Sequence, residues 1–60
     1  MTVSEIKQGL TYRGGTLGVE RTVARNEHGV VWVYCPATQD ASAAYAMPVE
    51  WFARWAKESL

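Results

Sequence analysis

The side chains of this 60-residue chain that can do chemistry are few and scattered. His28 is the single histidine and Cys35 the single cysteine, so a metal site built on paired histidines is excluded, and the carboxylates show no clustered ligand spacing. Cys35 acts as a nucleophile only with a base beside it in space, and His28 is the one obvious base. The plainer readings are preferred: a cysteine at a strand end is a small buried hydrophobe, and a histidine beside Gly29 is a turn residue. Gly14-Gly15-Thr16-Leu17-Gly18 has the glycine density of a phosphate-cradling loop, but no Lys-Ser/Thr follows and no helix is predicted there, which leaves a hairpin turn. Glu5, Glu20 and Glu50 are too dispersed to single out a carboxylate pair. These residues predict no catalytic machinery, no metal and no cofactor.

Two other groups carry binding content. Tyr12, Arg13, Arg21, Arg25, Trp32 and Tyr34 place arginines and aromatics on neighbouring predicted strands, a combination that stacks bases and holds phosphates. Six Lys plus Arg against six Asp plus Glu give zero formal charge, however, so the phosphate attraction is weak and no global field favours nucleic acid or an anionic membrane. Trp51 and Trp55, with Val30, Trp32 and Tyr34, make the competing group. Large aromatics are enriched in interface cores, so these residues predict a protein partner or a second copy of the chain, unless both tryptophans are simply core. A non-enzymatic interaction or regulatory module is the first expectation, and a nucleic-acid-binding module using Tyr12, Arg13, Arg21 and Arg25 is the alternative.

The elements that position these residues follow from pattern. A short β-favouring run over 10–13 ends at Gly14-Gly15, and a second strand over 19–26 ends in the Asn26-Glu27-His28-Gly29 turn. Val30-Val31-Trp32-Val33-Tyr34-Cys35, stopped by Pro36, is the strongest strand signal and predicts a central strand over 30–35. Alternation sends Val31, Val33 and Cys35 to one face and Val30, Trp32 and Tyr34 to the other, where a helix, a subunit or a ligand must cover the aromatics. By the same parity Arg21 and Arg25 share a face with Val19 and Val23. A short strand over 44–47 leads into a helix over 48–58, with Pro48 at its first position and Glu50 in its first turn. Val49, Phe52, Ala53 and Ala56 form its apolar stripe. Trp51 and Trp55, an i, i+4 pair, widen that stripe or lie on its flank, Arg54, Lys57 and Glu58 face water, and Lys57 complements the dipole. The expected fold is α+β, mainly β: a single domain over 1–60, either a small SH3-like antiparallel barrel or a curled sheet of three or four strands, closed by one C-terminal helix.

Length sets the energetic problem. A chain this short buries only about 60% of the surface its unfolded form exposes, so three tryptophans, three tyrosines and one phenylalanine must supply the core. Dimerisation would bury further apolar surface. One cysteine cannot form an intramolecular disulfide, no apolar run approaches bilayer length, and Met1 to Gln8 lacks a signal-peptide pattern. A cytoplasmic location is the expectation.

The string Gly9-Leu10-Thr11-Tyr12-Arg13-Gly14, then Glu20-Arg21-Thr22-Val23, Val33-Tyr34 and Trp51-Phe52-Ala53-Arg54-Trp55-Ala56, resembles a type of short uncharacterised protein of bacteria and their phages. The resemblance spans most of the chain and implies a small β-rich domain with a terminal helix, without implying an activity. The sequence departs from that pattern at Ala24 and Asn26, where larger aliphatics are expected. Trp32 to Cys35 is also superficially similar to the tryptophan-tyrosine strand of the small plasmid-encoded type of dihydrofolate reductase. The Val-Gln-Ile-Tyr segment that carries that enzyme's pore chemistry is absent here, and fold analogy does not transfer function.

Overall fold

Glycine turns and β-branched runs divide the chain into short extended stretches, and the computed structural model, which describes residues 1–60, forms five of them into strands. A one-turn 3-10 helix (Val3–Glu5) precedes β1 (Thr11–Gly14), β2 (Val19–Glu27) and β3 (Val30–Tyr34). A second 3-10 turn (Ala41–Ala43) leads to β4 (Tyr45–Pro48), α1 (Val49–Trp55) and β5 (Ala56–Ser59). All pairings are antiparallel and the strand order is β4-β3-β2-β1-β5, an open five-stranded sheet with one short helix. Between β2 and β3, His28 and Gly29 have φ of 52° and 77°. Positive φ at both central residues belongs to a type I′ hairpin turn, which matches the twist of the strands it joins. His28 is therefore a turn residue. No helix is long and apolar enough to cross a membrane.

The C-terminal helix expected over 48–58 is shorter than its periodicity implies. α1 ends at Trp55, Ala56 is extended (φ −70°, ψ 132°), and Ala56–Ser59 pairs with β1 instead. A helix continued to Glu58 would leave the outer edge of β1 without hydrogen-bond partners, and satisfying that backbone outweighs a helix propensity worth only tenths of a kcal/mol per residue. Lys57 and Glu58 consequently lie on a strand, and the cation in the last helical turn is Arg54. Pro48 closes β4 as the residue before the helix, rather than opening α1.

β2 brings a second correction. Its register with β3 steps from Val23↔Val33 to Arg25↔Trp32, so Ala24 is an extra residue and the strand is bulged. Side-chain parity reverses there. Val19, Arg21 and Val23 face the helix side, whereas Arg25 emerges on the opposite face beside Trp32. The small side chain at Ala24 suits the bulge, and the Asn26 Nδ2 donates to the Ile6 carbonyl at 2.8 Å.

The core lies between α1 and the sheet: Ile6, Tyr12, Val23, Val31, Val33, Val49, Phe52, Ala53 and Ala56. Val31 and Val33 point into it as alternation predicts, while Val30, Trp32 and Tyr34 stay partly exposed on the other face. Tyr12, expected on a nucleic-acid surface, is instead completely buried, its ring meeting Phe52 edge-on at 5.5 Å and 88°. Its hydroxyl donates to the Glu5 carbonyl at 2.8 Å and accepts from the Lys7 amide at 2.7 Å. The Glu5–Lys7 backbone, in a stretch that shows no periodicity, is thereby tied to β1. The Glu5 carboxylate accepts from the Thr2 amide and hydroxyl at 2.8 and 2.9 Å, and these bonds draw its pKa below the ordinary value. Tyr12→Phe leaves a backbone donor and an acceptor unpartnered, a loss of about 1–3 kcal/mol. We expect a lower urea midpoint, with the Lys7 amide gaining the largest increase in hydrogen-exchange rate.

Candidate binding cleft

The site is set by how α1 meets β1. Gly14 ends β1 under the Trp55 indole, and a side chain there would collide with the Trp55 carbonyl and lie 2.7 and 2.8 Å from indole carbons Cδ2 and Cε2. Glycine is thus required for close approach of the helix to the strand. The Gly15 amide donates to the Trp55 carbonyl at 3.4 Å, and the indole packs on Phe52 at 5.3 Å between ring centroids. Trp55 is half-buried. Trp51, one turn earlier, is 65% exposed.

Val19 and Arg21 of β2, Tyr45 and Met47 of β4, and Phe52 and Trp55 of α1 enclose a cleft of about 190 Å³. Val33↔Tyr45 and Val31↔Met47 pairing turns both β4 side chains to the helix side, and the i, i+2 spacing of Val19 and Arg21 does the same on β2. A shallower depression of about 270 Å³, lined by Trp51, Arg54 and Trp55, adjoins it across the shared indole. Sequence pattern had placed Phe52 in the core and Arg54 on the solvent face. It marked Tyr45 and Met47 only as strand residues, because their face depends on register with β3.

The residues expected to act together are divided between two faces. The sheet separates Trp51 and Trp55 from Val30, Trp32 and Tyr34. Of the arginine and aromatic set, Tyr12 is core, Arg21 enters the cleft, and Arg13, Arg25, Trp32 and Tyr34 lie on the opposite face. There Arg13 pairs with Glu20 at 3.1 Å and Glu58 at 2.9 Å, and both partners raise its pKa, Glu20 first. Arg25 grips Glu27 through two bonds of 2.8 and 2.9 Å and lies 4.7 Å over the Trp32 ring. Such exposed pairs add little stability, but they occupy the charge a phosphate would need. Arg21 and Arg54 have no carboxylate partner; Arg21 Nη1 donates to the Glu20 carbonyl at 2.7 Å.

His28 and Cys35 lie beyond opposite ends of β3, whose five residues span roughly 17 Å, and form no catalytic pair. Glu5, Glu20 and Glu50 stay separate, with Glu5 held by Thr2, Glu20 by Arg13 and Glu50 in the first turn of α1. No group of three or more His, Cys, Asp or Glu side chains gathers. Cys35 is half-exposed rather than the buried hydrophobe expected, because β3 ends at Tyr34 before it; hydrogen bonds from the Thr38 side chain first, then the Ala37 amide, with the charge of Arg21 in support, hold its thiol below the ordinary value. Comparison with known proteins gives no match: no family model, no curated protein and no solved structure is significantly similar to this chain.

Two outcomes test this geometry. Gly14→Ala forces Trp55 off β1 and is expected to cost about 1–3 kcal/mol, the usual range for overpacking, with a shift in tryptophan emission. Alkylation of folded Cys35 by iodoacetamide is expected to reach half-maximal rate at a lower pH than in the denatured chain, because the thiolate is the reactive form. Thr38→Val should move that midpoint back up.

Proposed function

We propose that this chain is a non-enzymatic protein-interaction module of SH3-like architecture, which engages its partner through Trp51, Trp55 and the cleft beside them. The SH3-like reading is supported by the strand order, in which β5 returns to pair with β1 and α1 spans the gap between edge strands β4 and β5. The interaction reading is carried by one observation: a tryptophan 65% exposed on α1 lines a shallow depression that meets an apolar cleft at the Trp55 indole. Exposed aromatics contiguous with apolar surface mark interaction sites, and tryptophan leads among interface hot spots. We extend the proposal to a regulatory module associated with phages or plasmids.

Affinity capture from the native source with the wild-type chain, Trp51→Ala, Trp55→Ala and Trp32→Ala tests the assignment. Trp51→Ala is expected to keep its fold within about 0.5 kcal/mol, as exposed substitutions do, and to lose the captured partner. Trp32→Ala should retain the partner. Trp55→Ala should lower stability by up to about 3 kcal/mol, the low end for a buried tryptophan. Unchanged capture by Trp51→Ala refutes the reading.

A further inference from the structure

The cleft is apolar on its floor and walls and positive at its rim, and that combination specifies an occupant. Of the chain's four arginines, two are neutralised within the fold: Arg13 by Glu20 and Glu58, and Arg25 by Glu27. The other two, Arg21 and Arg54, flank the Trp55 indole, and neither depression at that indole is lined by a carboxylate. Arg21 is half-buried beside the apolar wall and donates through Nη1 to one backbone carbonyl. A guanidinium carries five N–H donors in a planar fork matched to carboxylate, and a partly desolvated one gains most from an anionic partner.

Resting on the interaction reading above, we propose that the cleft binds an extended acidic segment of a partner protein. One large apolar side chain of that segment sits between Tyr45, Met47 and Trp55 over Phe52. A neighbouring Asp or Glu pairs with Arg21, and a second acid reaches Arg54 across the indole. A single-stranded nucleic acid is the poorer fit, since its affinity scales with the number of phosphates neutralised and two free arginines on a chain of zero net charge offer few.

Selection of a displayed library of random dodecapeptides against the full chain, followed by fluorescence anisotropy of resynthesised peptides, tests this. The expected peptides carry Asp or Glu on either side of a large apolar residue. Their binding should weaken about tenfold in Arg21→Gln, and about tenfold when their acids become Asn or Gln, as for a partly buried interfacial ion pair. Met47→Glu should abolish binding and Trp32→Ala should not alter it, with circular dichroism confirming each fold. The proposal is overturned by an empty selection, by selected peptides lacking acids, or by binding indifferent to Arg21→Gln. It is equally overturned if a twelve-nucleotide oligothymidylate binds as tightly with the same dependence on Arg21, or if light scattering shows self-association that Met47→Glu abolishes, which makes a second copy the occupant. If the acidic preference fails while native capture still depends on Trp51, the interaction reading stands and the occupant alone is wrong. If native capture is also indifferent to Trp51, both fall.

Discussion

The Tyr12 hydroxyl is the contact through which most of this small structure is organised. It lies fully buried at the centre of β1, donates to the carbonyl of Glu5 and accepts from the amide of Lys7, while the ring braces Phe52 of α1. One side chain thus ties three parts of the chain: the irregular N-terminal stretch, the strand and the helix. A chain of 60 residues has little apolar area to spare, and a tyrosine buried with both of its polar functions satisfied supplies area without an unpaired group. The core has no buried side-chain nitrogen or oxygen lacking a partner.

The candidate binding surface follows from how that core is closed. Because α1 stops at Trp55 and β5 returns to β1, the indole is drawn down over Gly14, while Trp51, a turn earlier, projects outward. The bulge at Ala24 performs a comparable partition on β2, leaving Arg21 on the helix side and sending Arg25 to the far face. Charge is sorted by the same geometry. The cross-strand pair Arg13↔Glu20 and the β5 partner Glu58 form one cluster, Arg25 and Glu27 another, and the arginines at Trp55 are left without acids. A chain of zero net charge therefore carries a locally positive, apolar cleft.

Pattern alone located the hairpin turns, the four strands that precede the helix and the helix start to within one residue. It also set the inward face of β3, where Val31 and Val33 alternate with partly exposed neighbours. It assigned Val49, Phe52 and Ala53 correctly to the core. The fifth strand was misread because Ala56, Lys57 and Glu58 favour helix, and only the open edge of β1 draws them into a sheet. Tyr12 was misread because an alternating strand beside arginines looks the same whether its tyrosine faces solvent or core. The N-terminal stretch left no periodic trace at all, since hydrogen bonds to Tyr12 and Asn26 and the one buried side chain of Ile6, rather than an amphipathic repeat, hold it.

What the sequence determined by itself were properties written in neighbouring residues: turn chemistry, the alternation of β3 and the apolar stripe of α1. Tertiary structure alone decided the properties that depend on register and closure. These are the bulge that reverses β2, the pairing of β5 with β1, the glycine that admits Trp55, and which arginines find a carboxylate. The physical reason is range. Local propensities differ by tenths of a kcal/mol per residue, whereas an unpaired sheet edge or a buried unsatisfied group costs kilocalories, and such costs exist only once distant segments meet.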